Sequence, residues 1–328
     1  MYTTEQVSNT YLEHRMSKRQ CYLASYEGLE RQQGKGVLIM PAPVGPRKNE
    51  YPSTYFVQDT KNRKELTRLD VQDRMITVGM GGVLPEQADP TVFHRVLDVG
   101  CGTGGWLIET AQTYPEMSLV GIDISQRMIK YARTQAEAHH VHDRIKFHVM
   151  DALRTLDFPT GFFDLVSLRF GVSFVRTWDW PKMLGELQRV TRTDGVVRVI
   201  DAEVLHQSSS PALARLFEMA QYAFFRGGHL FEQESTGLTS HQAQLLSKCG
   251  FQRVQTKAHA IEYGAGTAEV EAYCENMKLA FQMIHPFIQK WGCATKDYDA
   301  IYRQAVGEMH QPDFHASYNM LITWGCKA

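Results

Sequence analysis

Residues 96–105 read V-L-D-V-G-C-G-T-G-G, and this stretch decides the fold. An apolar run typical of a buried strand leads directly into a glycine-dense turn, and a helical pattern begins at Trp106. Gly100, Gly102 and Gly104 allow the backbone to approach a ligand closely, because no Cβ intervenes and a positive φ costs little. The stretch therefore predicts a ligand-binding strand–turn–helix unit, and the alternative is a tight turn that holds no ligand.

The acid two residues before the first glycine narrows the choice of ligand. Gly100, Gly102 and Gly105 also satisfy the G-x-G-x-x-G pattern of dinucleotide sites. Asp98 would lie near the pyrophosphate of a dinucleotide and repel it. S-adenosylmethionine carries an ammonium and a sulfonium, so a carboxylate at this position suits it better. We predict S-adenosylmethionine as the cofactor and rank a nicotinamide-dependent dehydrogenase last.

Two further aspartates follow predicted strands. Asp123 closes the second strand, L-V-G-I-D, where a carboxylate can accept both hydroxyls of a ribose. Asp151 follows the third strand in F-H-V-M-D-A, where it is placed to meet the exocyclic amine of adenine. Either aspartate could instead be a helix cap or a solvated loop carboxylate.

Short apolar runs alternate with helical patterns over most of the chain after residue 95. This alternation predicts an α/β fold with a doubly wound, mostly parallel, seven-stranded sheet of Rossmann-like type. The predicted strands cover residues 95–99, 118–122, 145–149, 163–168, 196–200, 251–263 and 317–324. The predicted helices cover residues 106–113, 126–138 with Ser125 as N-cap, 180–190 ended by Asp194-Gly195, 213–225, 240–248 and 269–289. Helical inserts are expected at about residues 206–236 and 265–315.

The sequence before residue 95 follows a different pattern. Residues 3–33 carry helix-forming residues, residues 34–52 contain repeated proline and glycine, and a helical pattern returns at residues 61–77. We therefore predict two domains, an N-terminal helical cap segment at 1–94 and a catalytic domain at 95–328.

At this point a family resemblance can be stated. Asp98-x-Gly100-x-Gly102-x-Gly104, Asp123 and Asp151-Ala152 together resemble the class I S-adenosylmethionine-dependent methyltransferases. The segments R-K-E-L-T-R-L-D-V-Q-D-R-M-I-T-V-G-M-G-G, F-D-L-V-S-L-R-F and D-W-P-K-M-L are similar to fungal secondary-metabolism methyltransferases and to related bacterial natural-product enzymes. The resemblance covers about residues 50–204.

The resemblance implies a role for each matching residue. Asp98 and the glycines would surround the methionyl part of the donor, Asp123 would bind ribose, and Asp151 with Ala152 would bind adenine. Arg169 and Phe170 would line the sulfonium end, and Tyr55 and Arg68 would fold over the cofactor. Ile124 and Met128 complete the implied cofactor-binding set. A surface helix charge is the alternative interpretation of Arg68.

The implied activity is methyl transfer to a small organic acceptor in specialised metabolism. Positioning and desolvation can supply most of the rate of such a displacement, and a general base helps only if the acceptor must lose a proton. The base candidates, His206, Tyr222, His229 and Tyr263, are unranked, and each could be a packing or surface residue. Two rival hypotheses are a cofactor-binding protein that promotes cyclisation or rearrangement, and a regulatory protein that binds partners.

Composition limits the other partners. The formal net charge is −1 and there is no basic arm, so we expect no nucleic-acid partner. No apolar run approaches the about 18 residues of a membrane span, and the polar N-terminus is not a signal peptide, so we expect no membrane partner. The six cysteines show no C-x-x-C pairing, which predicts a reducing cytoplasm and no zinc site. His139, His140 and His142 lie in a loop with nothing to fix a tetrahedral geometry, so we expect a solvated loop and no metal. A homo-oligomer stays possible.

Overall fold

An eight-stranded sheet forms the centre of the fold in the computed structural model, which describes residues 55–56, 63–264 and 267–328. Its strands are β1 (Arg95–Val99), β2 (Ser118–Asp123), β3 (Ile145–Val149), β4 (Phe163–Arg169), β5 (Thr191–Ala202), β6 (Gln207–Ser208), β7 (Phe251–Gly264) and β8 (His315–Lys327). The order is β3-β2-β1-β4-β5-β8-β6, and β7 pairs with β8. The predicted helix at residues 3–33 and the break at 34–52 lie outside the described residues.

Strands β1 to β5 are parallel, whereas β8 runs antiparallel to β5, β6 and β7. The prediction of a doubly wound, mostly parallel sheet is confirmed, and β6 adds a two-residue strand to the seven that were predicted. The chain leaves β1 toward β2 and β3 on one side and returns to β4 and β5 on the other. This change of direction creates a crevice at the carboxyl ends of β1 and β4, where ligands bind in such sheets.

Helices cover both faces of the sheet. They are α1 (Arg63–Gly79), α2 (Gly105–Thr113), α3 (Gln126–Ala138), α4 (Trp180–Val190), α5 (Pro211–Arg226), α6 (Gln242–Lys248), α7 (Ala268–Lys290) and α8 (Tyr298–Met309). All seven residues of β4 are buried, as expected of a strand that is covered on both faces. None of the described helices is long and apolar enough to cross a bilayer.

Local signals in the sequence explain where several helices begin. Ser125 is the N-cap of α3, as predicted, and its hydroxyl accepts the Met128 amide at 3.3 Å. Ser210 caps α5 in the same way, because its hydroxyl accepts the Leu213 amide at 3.0 Å. Side-chain oxygens at these positions satisfy amides that have no partner within the helix.

The start of β5 was predicted wrongly. The structure begins this strand at Thr191, whereas the sequence predicted a turn at Asp194-Gly195 and a strand from residue 196. Those residues lie in an irregular part of the ladder, between the pairs Phe163↔Thr191 and Leu165↔Val196. Asp194 has a φ of 59°, so the turn-forming residues bulge out of the strand instead of ending it.

We predict that Ser210→Ala lowers the free energy of unfolding by about 1–2 kcal/mol, because α5 loses its cap. The Ser210 hydroxyl also donates to Glu308 on α8 at 2.6 Å, so the change weakens the packing of the two helices. Urea unfolding measures the loss. Ser247→Ala on α6 is the control, since its hydroxyl is exposed and bonds only to its own helix. Equal stability of Ser210→Ala and the unsubstituted protein would contradict this role.

Candidate functional site

The turn between β1 and α2 can be built only with glycine at three positions. Gly100, Gly102 and Gly104 have φ values of 71°, 53° and 78°. These lie in the left-handed region, which side chains with a Cβ rarely adopt. A Cβ on Gly104 would also lie 2.9 Å from the ring of Phe147, and one on Gly100 would lie 3.1 Å from the ring of Phe174. The three glycines therefore keep the backbone bare at the carboxyl end of β1.

Asp123 connects this turn to the next helix. Its carboxylate accepts the amide of Gly102 at 3.0 Å and the amide of Ser125 at 2.8 Å. Burial raises its pKa, although both amide bonds oppose this shift. A carboxylate oxygen can accept more than one hydrogen bond, so Asp123 keeps capacity for further donors.

The residues expected around adenine follow β2 and β3. Asp151 accepts the amide of Leu153 at 3.0 Å and lies 3.1 Å from the Nε of Arg154. Asp151 is therefore half-buried and makes a local turn contact. Ile124 exposes 54% of its apolar side chain directly after β2, whereas Met128 is buried in α3.

Asp98 is the most unusual acid of the site. It is 1% exposed, and no described residue donates a hydrogen bond to either carboxylate oxygen. The nearest cation is the Nη2 of Arg169, 3.7 Å from Oδ2. Burial raises the pKa of Asp98 to about 7, and Arg169 opposes this effect. A buried carboxylate without hydrogen-bond donors is costly, which indicates that a ligand supplies the missing donors.

The sheet register places Asp98 in a polar row. Asp98 on β1 lies opposite Ser167 on β4, and Ser167 lies opposite Arg198 on β5. Residues opposite one another in register point to the same face of a sheet. On that face the guanidiniums of Arg169 and Arg198 lie 5.3 Å and 5.4 Å, respectively, from the ring centroid of Trp106.

Two ion pairs complete this buried charge row, which we define as Asp73, Glu86, Asp98, Arg169 and Arg198. Arg198 pairs with Glu86 at 3.0 Å, with both side chains fully buried, and Arg169 pairs with Asp73 at 2.9 Å. The row contains three carboxylates and two guanidiniums. With all three carboxylates ionised, this set has one more negative than positive charge, and its unpaired carboxylate, Asp98, lies beside the glycine turn.

The same row argues against a dinucleotide. Gly105 begins α2, and a Cβ at this position would lie 2.8 Å from a carboxylate oxygen of Asp73. A pyrophosphate bound at the N-terminus of a strand-following helix would meet the amides of that helix. Here it would also meet the carboxylates of Asp73 and Asp98. The geometry disfavours the G-x-G-x-x-G alternative.

A second buried network joins Tyr55 to α1. The Tyr55 hydroxyl donates to Glu65 at 2.5 Å, and Arg68 donates to Glu65 through Nε and Nη2, each at 2.8 Å. Arg68 also donates to Gln72. Arg68 is 4% exposed, so it is not a surface helix charge. The sequence analysis missed Glu65, which the i, i+3 spacing of Glu65 and Arg68 on one helix face could have indicated.

Helix α1 packs directly against the glycine turn. A side-chain carbon of Leu69 lies 3.7 Å from the Cβ position of Gly102, and Asp70 accepts the Tyr131 hydroxyl at 2.6 Å. The Asp73–Arg169 pair adds a third tie to the same face of α1. These contacts hold α1 against the glycine turn, α3 and the end of β4, and the cofactor roles of Arg68 and Tyr55 stay predictions.

The loop after β4 is held by an acid that the sequence analysis did not single out. Asp201, at the end of β5, accepts the amide of Val172 at 3.0 Å and the side-chain amide of Gln242 at 3.2 Å. Burial raises the pKa of Asp201 to about 7. Phe170 begins the loop with a φ of 55°, a strained value for a residue with a side chain. Asp201 thus fixes the position of Phe170 beside Arg169.

Among the base candidates, His206 lies in an aromatic cluster. Its Nδ1 is 3.0 Å from the Tyr273 hydroxyl, and its ring lies between those of Phe217 and Tyr318, at centroid distances of 4.3 and 3.8 Å. Burial lowers its pKa to about 3, so the imidazole is neutral at pH 7.

The other three candidates differ from one another in burial and in their neighbours. His229 is buried, its Nδ1 has no hydrogen-bond partner among the described residues, and burial lowers its pKa to about 4. Tyr263 is buried and stacks on Tyr273 at 4.6 Å. Tyr222 is 40% exposed on α5. Tyr273 thus contacts both His206 and Tyr263, whereas His229 packs on Phe224 and Phe287. No role is assigned to any of the four candidates. The described residues contain no group of three or more His, Cys, Asp or Glu able to hold a metal.

Comparison with protein families identifies the part of the chain that carries this geometry. Residues 96–195 match the family model described as a methyltransferase domain. The match begins on β1, includes the glycine turn, Asp123 and Asp151, and ends in the bulge of β5. These residues therefore resemble a methyltransferase domain, in agreement with the predicted fold. The predicted division of the chain at residue 94 stays a prediction.

Curated relatives and solved structures agree with this result. The demethylmenaquinone methyltransferase of Geobacillus stearothermophilus is 33% identical over 133 residues, 40% of this chain and 52% of the relative. The Thermus thermophilus protein of the same name is 37% identical over 107 residues, 33% of this chain and 46% of the relative. The chain thus spans about half the length of these relatives. Phosphoethanolamine N-methyltransferase 2 of Haemonchus contortus has a similar fold, with a TM-score of 0.50 and 18% identity over 83% of this chain and 59% of that one.

We predict that Glu65→Ala lowers the free energy of unfolding by about 3–5 kcal/mol, because it leaves the buried guanidinium of Arg68 without its carboxylate. Chemical denaturation measures the loss. Glu275→Ala is the matched control, since Glu275 makes the same i, i+3 contact with Lys278 at an exposed site and is worth at most about 1 kcal/mol. Similar small losses in both variants would contradict a structural role for the Glu65–Arg68 pair.

Proposed function

We propose that this chain is an S-adenosylmethionine-dependent methyltransferase that transfers a methyl group to a small organic acceptor. The methyltransferase domain and the bare glycine turn support this proposal. The observation that carries it is the buried charge row, which lacks one positive charge next to Asp98.

The residues of the row fit the charges of the donor. S-adenosylmethionine has an α-ammonium, an α-carboxylate and a sulfonium, which give a net charge of +1. Asp98 would hold the ammonium, since both of its oxygens lack donors among the described residues. The Nε of Arg169, which likewise lacks an acceptor among them, would suit the α-carboxylate better than the sulfonium. Binding the donor would then neutralise the row.

The nucleoside part of the donor fits the residues that follow β2 and β3. Asp123 would bind the ribose hydroxyls, with its orientation already fixed by the amides of Gly102 and Ser125. Ile124 offers an exposed apolar surface for the adenine ring, and Asp151 with Ala152 would face its amine.

The mechanism requires mainly positioning from the protein. A bound donor would supply an activated methyl group: a lone pair of the acceptor would attack the methyl carbon in line with the C–S bond, and the C–S electron pair would leave with S-adenosylhomocysteine. The chain holds the methionyl and nucleoside ends and covers the crevice with α1, so that the reacting atoms stay aligned and away from water. His206 and His229 are neutral at pH 7, so each has the protonation state that a base needs if the acceptor must lose a proton.

The acceptor class rests on similarity. The sequence of α1, β4 and the start of α4 resembles natural-product methyltransferases, which supports an acceptor from specialised metabolism. The similar proteins are a demethylmenaquinone methyltransferase and a phosphoethanolamine N-methyltransferase, and the structure of the latter contains phosphomonomethylethanolamine. These are small molecules, which supports a small-molecule acceptor here.

We predict that incubation with methyl-labelled donor and a panel of phenolic, enolic and amine acceptors transfers label to at least one acceptor. Asp123→Ala is the comparison variant and should lose most of the transfer, because it removes the ribose contact. Mass spectrometry of the products measures label incorporation. Conversion of an acceptor without incorporated label would overturn the transfer proposal and favour a cyclisation or rearrangement.

We predict that Asp98→Asn weakens donor binding by about thirtyfold or more, because it removes one partner of a buried charge contact. Isothermal titration calorimetry with S-adenosylmethionine measures the affinity. Asp299→Asn, which changes an exposed acid on α8, is the matched control and should bind like the unsubstituted protein. Unchanged affinity in Asp98→Asn would remove the electrostatic basis of the proposal.

A further inference from the structure

Three aromatic side chains are exposed on two segments that contact each other, the loop before α4 and the end of α5. Trp178, Tyr222 and Phe225 are 56%, 40% and 36% exposed, more than any other Trp, Tyr or Phe among the described residues. We call these three residues the aromatic corner. Exposed aromatic side chains that cluster on a surface commonly mark an interaction site.

The three rings come from two segments that contact each other. The ring of Trp178 packs so closely on Gly228 that a Cβ there would lie 2.5 Å from it, and the Thr177 amide donates to the Gly228 carbonyl at 2.8 Å. The Gly228 amide donates in turn to the Phe225 carbonyl at 2.9 Å. Tyr222 lies three residues before Phe225 and therefore shares its helix face.

Cations surround the aromatic corner. The guanidinium of Arg176 lies 5.5 Å from the ring centroid of Trp178, and that of Arg226 lies 5.9 Å from the ring centroid of Tyr222. Lys290, exposed at the end of α7, adds a third cation, and it acts with Arg176 to lower the pKa of His229. Two acids lie there as well: Asp179 beside half-buried Arg176, and exposed Glu218, one turn before Tyr222 on α5. The corner is therefore aromatic, with three cations and two acids around it.

One residue of the corner, Trp178, belongs to the loop that covers the glycine turn. The ring of Phe174 covers Gly100, and Trp178 follows four residues later in the same loop. A surface bound at the corner would therefore lie next to the loop that follows β4.

We propose that the aromatic corner docks the protein onto the interfacial layer of an anionic phospholipid bilayer. Trp and Tyr rings have an apolar body and a polar tip, which suits the level of the headgroups, and basic side chains are attracted to anionic lipids. A second copy of the chain suits the corner less well, because a symmetric contact would bring its cations together.

This inference goes beyond the proposed methyl transfer and does not depend on it. The sequence analysis expected no membrane partner because the chain has no long apolar run. A surface built from residues 176–178, 222–226 and 290 leaves no such signal, since its members are distant in sequence.

The test is flotation of the full chain with vesicles of phosphatidylcholine alone and with vesicles of equimolar phosphatidylcholine and phosphatidylglycerol. We expect binding to the anionic vesicles and little binding to the neutral ones. The double variant Trp178→Ala/Phe225→Ala should lower the partition coefficient about tenfold or more. Arg226→Ala should lower it about fivefold, and added salt should reduce that difference.

Two variants outside the corner serve as controls. Val92→Ala removes an exposed apolar side chain that precedes β1, and Arg303→Ala removes an exposed cation on α8. Neither should change the partition coefficient. Calorimetry with S-adenosylmethionine should give the same affinity in all of these variants, so failure of docking and failure of the proposed function remain distinguishable.

Absence of binding to anionic vesicles would overturn the proposal, and so would an equal loss of binding in the corner and control variants. Sedimentation velocity gives a further outcome. If the double variant dissociates a dimer while the unsubstituted protein ignores vesicles, the corner is an interface between copies, and membrane docking is wrong.

Discussion

The unmatched carboxylate of Asp98 is the constraint on which the rest of the site depends. In the interior of a sheet the dielectric is low, so a charge without partners is costly and must be offset nearby. Arg169 and Arg198 extend toward Asp98 from neighbouring strands, but each already pairs with another acid, Asp73 or Glu86. The row therefore ties α1, β1, β4 and β5 together and still favours one additional cation at the glycine turn.

Helix α1 belongs to the site as much as the sheet does. Helix α1 supplies Asp73 to the charge row, Leu69 to the surface of the glycine turn, and Glu65 and Arg68 to the buried network with Tyr55. Without α1, the guanidinium of Arg169 would lose its closest carboxylate. The match to the methyltransferase domain covers residues 96–195, yet the electrostatics of the crevice need residues before position 96.

Sequence reasoning succeeded where the signal is local. The strands at 95–99 and 145–149 and the helix at 180–190 were predicted with the bounds that the structure gives, because apolar patterning and turn residues mark them. It failed where a partner strand decides, as in the bulge that absorbs Asp194-Gly195. The partners of Arg68, Arg169 and Arg198 follow from the packing of α1 and from sheet register. The base candidates stayed unranked because their surroundings depend on how the helical inserts pack.

The most direct test of the charge row is the proton count that accompanies donor binding. Titration calorimetry with S-adenosylmethionine, repeated in buffers of different ionisation enthalpy, gives the number of protons exchanged. Because burial raises the pKa of Asp98 to about 7 and a bound ammonium would lower it, the account predicts proton release that grows as the pH falls from about 8 to about 6. The release should vanish in Asp98→Asn. Donor binding without proton exchange across that range would contradict the account.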